Sequence, residues 1–139
     1  MPYIKFILND GVGTIRISSD FVQDTLLVRA ESSGDIYVNG VYNQIRTSSH
    51  GNGDIYINGS ANSLFVYAFG TNFLKAENLK VTDYVFIETF SIGDCSIDAS
   101  QLKTLEFNIH KDGNIFYRGE PASISDFSTY TRKGRAIKD

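Results

Sequence analysis

The sequence predicts an all-β protein whose single domain, residues 1–139, is a β-solenoid of about seven rungs of about 20 residues. Three observations carry that expectation. Glycine recurs at nearly even intervals, at Gly13, Gly34, Gly53, Gly70, Gly93, Gly113 and Gly134, with gaps of 21, 19, 17, 23, 20 and 21 residues. Most of these glycines open a similar phrase, as in Gly34-Asp35-Ile36-Tyr37-Val38-Asn39-Gly40 and Gly53-Asp54-Ile55-Tyr56-Ile57-Asn58-Gly59. Within each phrase apolar residues alternate with variable ones, the period of a strand that buries one face.

The elements follow from these columns. Residues 1–30 supply an N-terminal cap and the first rung, and residues 31–139 the clearer repeats. Two residues past each glycine stand Ile15, Ile36, Ile55, Asn72, Cys95, Ile115 and Ala136; four residues past stand Ile17, Val38, Ile57, Leu74, Ile97, Tyr117 and Lys138. A second strand in each unit is marked by Leu26 and Val28, Ile45 and Thr47, Leu64 and Val66, Val85 and Ile87, Leu105 and Phe107, then Ile124. Turns rich in Gly, Asn, Ser and Asp join the strands. One such unit has no opposite wall, so it must stack on its neighbours at about 4.8 Å per rung to bury its apolar face. The glycines then mark points of positive φ, or points where a Cβ would strike the adjoining rung. An antiparallel β-sandwich also shows short strands, but it does not require equivalent residues at every twentieth position. The fourth unit, Gly70 to Ile92, is irregular: Asn72 falls in an apolar column, and the extra stretch from Asn78 to Tyr84 predicts a bulge or an outward loop.

Composition excludes several classes of function. A net charge of −3 gives no general attraction to nucleic acid or anionic membrane. The single cysteine excludes an intramolecular disulfide and a multi-cysteine zinc site. No run approaches the roughly 18 apolar residues of a membrane span, so no membrane insertion is expected. The opening stretch Met1–Asp10 is too short for a secretory h-region, so the sequence as written carries no export signal and leaves the compartment open.

The phrases Ser33-Gly34-Asp35-Ile36-Tyr37-Val38, Gly51-Asn52-Gly53-Asp54-Ile55-Tyr56-Ile57 and Gly93-Asp94-Cys95-Ser96-Ile97-Asp98-Ala99 resemble the repeats of the head GIN domain family of autotransporter adhesins. The segment Gly113-Asn114-Ile115-Phe116-Tyr117-Arg118-Gly119-Glu120-Pro121 is similar to that family's closing Gly-x-Ile-x-Tyr-x-Gly-x-Pro pattern. The resemblance spans roughly residues 30–139, and the element at Ser48-Ser49-His50 departs from it. It implies a right-handed β-helix on a bacterial surface or exported protein, with no catalytic residues to carry over.

The candidate sites sit on this frame. Tyr37, Tyr56, Phe73 and Phe116 share the position three past a glycine, between the inward columns, and so form an outward aromatic stripe broken at Ser96. Such rings could bind a protein or glycan, or could simply stack on one another. Asp35 and Asp54 stand on adjacent rungs, with Thr71 and then Asp94 beyond. They are weak candidates for calcium, and turn capping is the simpler reading. His50 and His110 lie three rungs apart, about 14 Å at the rung spacing, too far to share a metal, and read as turn residues. Cys95 takes an inward position and reads as an inert core thiol. Thr131 to Lys138, with Arg118 beneath, gathers five cations that would dock an acidic partner or, more simply, cap the open rung.

No nucleophile–base pair, phosphate loop, dinucleotide fingerprint or zinc-protease helix appears in the sequence. Apart from Arg118 and Glu120, the basic and acidic positions do not gather as in a polysaccharide-acting β-helix enzyme. The reading reached is a non-enzymatic structural or adhesin-like module without cofactors, binding protein or glycan through its aromatic face. A self-assembling, bactofilin-like element and its homo-oligomer form the alternative, and a polysaccharide-acting enzyme stands third.

Overall fold

The computed structural model describes residues 6–128 and 133–139, without the side chains of residues 19–21. Ten strands follow in order: β1 (Phe6–Asn9), β2 (Ile15–Ala30), β3 (Ile36–Ser49), β4 (Ile55–Gly70), β5 (Leu74–Ser91), β6 (Cys95–Asp98), β7 (Thr104–Ile109), β8 (Ile115–Arg118), β9 (Ser123–Asp126) and β10 (Ala136–Lys138). Every pairing is parallel, and each strand lies on the equivalent part of the preceding turn. The path runs β1-β2-β3-β4-β5-β6-β8-β10, with β7 on β5 and β9 on β7. This is a β-solenoid of about six turns, close to the seven rungs expected from the glycine period.

The chain lies in the expected register over most of its length. Leu26, Ile45, Leu64, Val85, Leu105 and Ile124 stack in one column, as the sequence predicts. Opposite them stack Ile15, Ile36, Ile55, Leu74, Cys95, Ile115 and Ala136. Leu26, Ile36, Ile45, Ile55, Leu64 and Leu105 are fully enclosed, each worth about 1.5–3 kcal/mol against exposure. In the middle turns the two strands of each unit run on as one long bent strand. There the corner residues keep pairing, Gly40 with Gly59 and Tyr42 with Ala61, because β3 and β4 differ by a constant 19 positions. The β2–β3 ladder shifts at this corner, between Ser18 and Val22, and after β5 the two strands of each unit separate there.

The fourth turn is set two residues later than the glycine count suggests. Ile55 pairs with Leu74, so Asn72, not Gly70, stands in the repeat-glycine column, and Ala76 takes the inward place given above to Leu74. Counted on this column, the turns are 21, 19, 19, 21, 20 and 21 residues long. The extra residues near Asn78–Tyr84 form irregularities within β5, one between Tyr56 and Asn58 of its partner strand and one between Ala61 and Ser63. Leu79 and Val81 remain buried, so the addition is bulged wall and not an outward loop.

Close approach, more than turn geometry, explains the recurring glycines. A Cβ on Gly53 would stand 2.2 Å from the Gly34 carbonyl oxygen, and one on Gly113 2.2 Å from that of Gly93. Neither has positive φ, which among the described glycines occurs at Gly59, Gly70 and Gly119. Asn72 fits the column by turning its amide into the corner. Its Nδ2 donates to the carbonyls of Gly51 and Phe69, and its Oδ1 accepts from Ser49 Oγ at 2.9 Å.

Candidate functional site: two lateral faces

The first lateral face carries the column Arg16, Tyr37, Tyr56, Lys75, Ser96, Phe116 and Ile137. Three of the four expected stripe residues stand in it. Phe73 does not: the two-residue offset of the fourth turn puts Lys75 there, and Phe73 instead follows Asp54 in the neighbouring column, 39 % exposed. The stripe is therefore broken at two successive rungs, Lys75 and Ser96, and Phe116 is separated from the tyrosines. Tyr37 and Tyr56 stack with centroids 4.3 Å apart and planes within 3°. The Arg16 guanidinium lies 4.1 Å from the Tyr37 ring centroid. Burial, with the nearby Asp54 carboxylate, pushes the Tyr56 hydroxyl above the ordinary tyrosine range.

Beside this stripe, Asp35 and Asp54 bond across rungs. Asp35 Oδ1 accepts from the Asp54 N–H, and Asp54 Oδ1 from the Phe73 N–H, both at 2.8 Å. Asp94 repeats the contact with the N–H of Asn114, and Asn114 with that of Arg135. The acidic column is thus a set of backbone caps, with Phe73 rather than Thr71 between Asp54 and Asp94. Among the described residues no three His, Cys, Asp or Glu side chains gather as a metal site would need.

The second lateral face, on the later half of each turn, is the more aromatic. Its columns run Leu27, Arg46, Phe65, Phe86, Glu106; then Arg29, Ser48, Tyr67, Glu88, Asn108; then His50, Phe69, Phe90, His110 as the chain leaves each strand. The last of these is a continuous ring stack. His50 lies 5.2 Å from Phe69, Phe69 4.7 Å from Phe90, and Phe90 3.9 Å from His110, with planes within 16° throughout. The two histidines, expected as turn residues, close its ends: His50 Nε2 bonds with Ser48 Oγ at 3.0 Å, and His110 Nε2 with Glu88 Oε2 at 3.2 Å.

Rings stacked along the solenoid axis cover one another's faces and turn their edges outward. Tyr67 breaks this pattern. It crosses Phe69 at 74° and Phe90 at 68°, with centroids 4.9 and 6.1 Å away. Because the faces of Phe69 are covered by His50 and Phe90, the ladder meets one face of Tyr67 with its edges. Tyr67 also lines a shallow depression of about 330 Å³, together with Arg46, Ser48, Phe65 and Phe86. Tyr67 is 39 % exposed. Arg46 covers Phe65 at 4.4 Å, and Tyr84, tilted against Phe65, donates its hydroxyl to Glu106. Burial and that bond push the Tyr84 hydroxyl up to about 12.

Columns counted from the glycines do not reach the outward positions of this face, which lie on the second strand of each unit. The signal was present in Phe65-Val66-Tyr67-Ala68-Phe69, where aromatic and small apolar residues alternate, and in Tyr84-Val85-Phe86 one turn later. Cys95 is buried, and burial with the neighbouring Asp94 pushes its thiol up to about 12, which suppresses the nucleophilic thiolate. Of the C-terminal segment, Thr131 and the cation Arg132 lie outside the described residues. Lys138 meets Glu120, and Arg118 meets Asp98 at 3.9 Å and the Glu77 carbonyl, so that end is partly neutralised.

A solved structure described as a "putative adhesin" from Bacteroides fragilis NCTC 9343 superposes with a TM-score of 0.83 at 24 % identity. The match covers 96 % of this chain and 59 % of that one, so this chain spans about three fifths of its length. At that identity the likeness shows the fold. No curated protein matches the chain. The family model described as "Putative auto-transporter adhesin, head GIN domain" matches residues 1–121, taking in the first rung and ending within the last turn, after β8. On that match the chain belongs to the head GIN domain family.

Proposed function

We propose that this chain is a non-enzymatic adhesive module of a surface or exported protein, and that it holds its partner, a protein or glycan, on the second lateral face. The observation that carries this reading is the contrast in ring presentation. The Tyr37–Tyr56 pair is stacked and partly covered by Arg16, whereas Tyr67 stands across its neighbouring rings, 39 % exposed, on the lining of a depression. A flat apolar ring beside polar groups is the usual anchor of a binding surface. Family membership supports the adhesive role, and the inert Cys95 and the capping role of Asp35 and Asp54 remove the chain's more reactive candidates.

The test is retention of the purified protein on mucin-coated and matrix-protein-coated surfaces, with wild type, Tyr67→Ser, and the double variant Tyr37→Ser/Tyr56→Ser compared at equal folded concentration. Tyr67→Ser is expected to lose at least about tenfold in retention, the scale of one buried aromatic anchor. The double variant is expected to retain most of it. Equal loss in both, or loss in the double variant alone, would return the site to the first face. Sedimentation across a range of concentrations runs beside it. Growth in mass abolished by Tyr67→Ser would make the partner of this face a second copy of the chain.

A further inference from the structure

We infer that the depression beside Tyr67 receives a sugar ring bearing a carboxylate. This rests on the adhesive reading of the second face and names the class of ligand it takes. The depression, about 330 Å³, has the size of a site for a small cyclic group. The exposed Tyr67 ring forms part of the wall, and the C–H face of a pyranose is apolar and flat enough to lie against an aromatic ring. Arg46 stands in the same lining and supplies the charge. With the Gln44 amide oriented to satisfy both groups, its oxygen accepts from Arg46 Nε and Nη2, each at 2.8 Å. That leaves three of the five guanidinium donors. Among the described residues Arg46 has no carboxylate partner, so a ligand carboxylate would complete it with charge-assisted bonds.

The neighbouring acids do not fill that place. Glu88 is turned to His110 and Asn108, Glu106 accepts from Tyr84, and Glu31 is paired with Arg29. Ser48, on the lining, bonds to His50 and keeps a further hydrogen-bonding position for a sugar hydroxyl. An acidic peptide is the less suitable occupant. Strands β3 and β4, which carry Arg46, Ser48, Phe65 and Tyr67, are paired on both sides, so the face offers no free backbone edge for strand addition.

The experiment titrates the protein with methyl glucuronide and methyl glucoside, a pair differing at the carboxylate, and follows aromatic resonances by NMR. The glucuronide is expected to perturb Tyr67 and Phe65 with an affinity of about millimolar, and the glucoside to bind at least about tenfold more weakly. Arg46→Gln should abolish the difference between the two sugars while the variant melts cooperatively, and Arg46→Lys should restore part of it. Equal binding of both sugars, a glucuronide that fails to bind, or an acidic peptide that displaces it from Tyr67 more strongly than oligoglucuronides do would overturn the inference. If glucuronide fails while surface retention still depends on Tyr67, the ligand class is wrong and the adhesive face stands. If retention is also indifferent to Tyr67, both readings fall.

Discussion

The two lateral faces are built from the same repeat, yet they present their rings differently. On the first, Tyr37 and Tyr56 stack plane on plane and the column then passes to Lys75 and Ser96. On the second, His50, Phe69, Phe90 and His110 form a longer stack, and Tyr67 stands across it. The difference teaches that an outward aromatic column in a solenoid is first a stabilising device. A parallel, in-register repeat places like rings about 4.8 Å apart, close to the preferred spacing of offset-stacked rings, so they consume one another's faces. A ring becomes available to a ligand when it leaves the ladder and is held there by it.

The largest expected effect removes the frame common to both faces. Gly53→Ala places a methyl against the Gly34 carbonyl and is expected to cost about 3 kcal/mol or more, read by denaturant unfolding. A cost below about 1 kcal/mol would show that the rungs can separate locally and that close approach does not explain the glycine period. The next comparison sets the two stacks against each other. Phe90→Ala interrupts a four-ring ladder and should cost about 2 kcal/mol, against about 1 kcal/mol for Tyr56→Ala in the two-ring stack. The Phe90 variant should also weaken retention, because Tyr67 loses part of its backing, whereas the Tyr56 variant should not. Equal costs and unaltered retention would dissolve the distinction between the faces.

A smaller effect is expected in alkali. The Tyr84 hydroxyl is pushed up to about 12, and a group raised in the fold contributes stability that is complete below its unfolded value near 10. That contribution is lost as pH rises from there toward 12. In a tyrosinate absorbance titration, Tyr84→Phe should remove one late-ionising tyrosine and flatten the fall in stability over that range. An unchanged late phase would place Tyr84 in water, without its bond to Glu106. The smallest effect is at Cys95, which should react with a thiol reagent only as the protein unfolds, leaving both faces unmodified in the folded state.

Much of this architecture was legible in the residues. The inward columns through Ile36 and Ile55, and through Leu26, Ile45, Leu64 and Val85, follow from alternation and period alone. The glycine count misplaces the fourth turn because Gly70 lies over Gly51, with φ of 94°, while the repeat position is filled by Asn72. Composition cannot separate those two roles, since both ask for a residue without a side-chain clash. Phe73 was assigned to the stripe through the same shift. The ring ladder and the exception at Tyr67 were beyond reach for another reason. Which rings stack and which turn across depends on packing between successive turns, and alternation reports only that they point outward.

The bulged wall of β5 has a consequence for length. A single added residue inverts the in–out order of everything after it until a second one restores it. Here the two irregularities flank the corner, and the turn beyond them returns Val85 and Ile87 to the interior and Phe86 to the outside. That corner acts as an expansion joint. Short insertions of even length placed between Leu79 and Tyr84 should be absorbed there, leaving the inside and outside of the following half-turn as they are. A peptide tag could therefore be carried within the rod itself without disturbing either face.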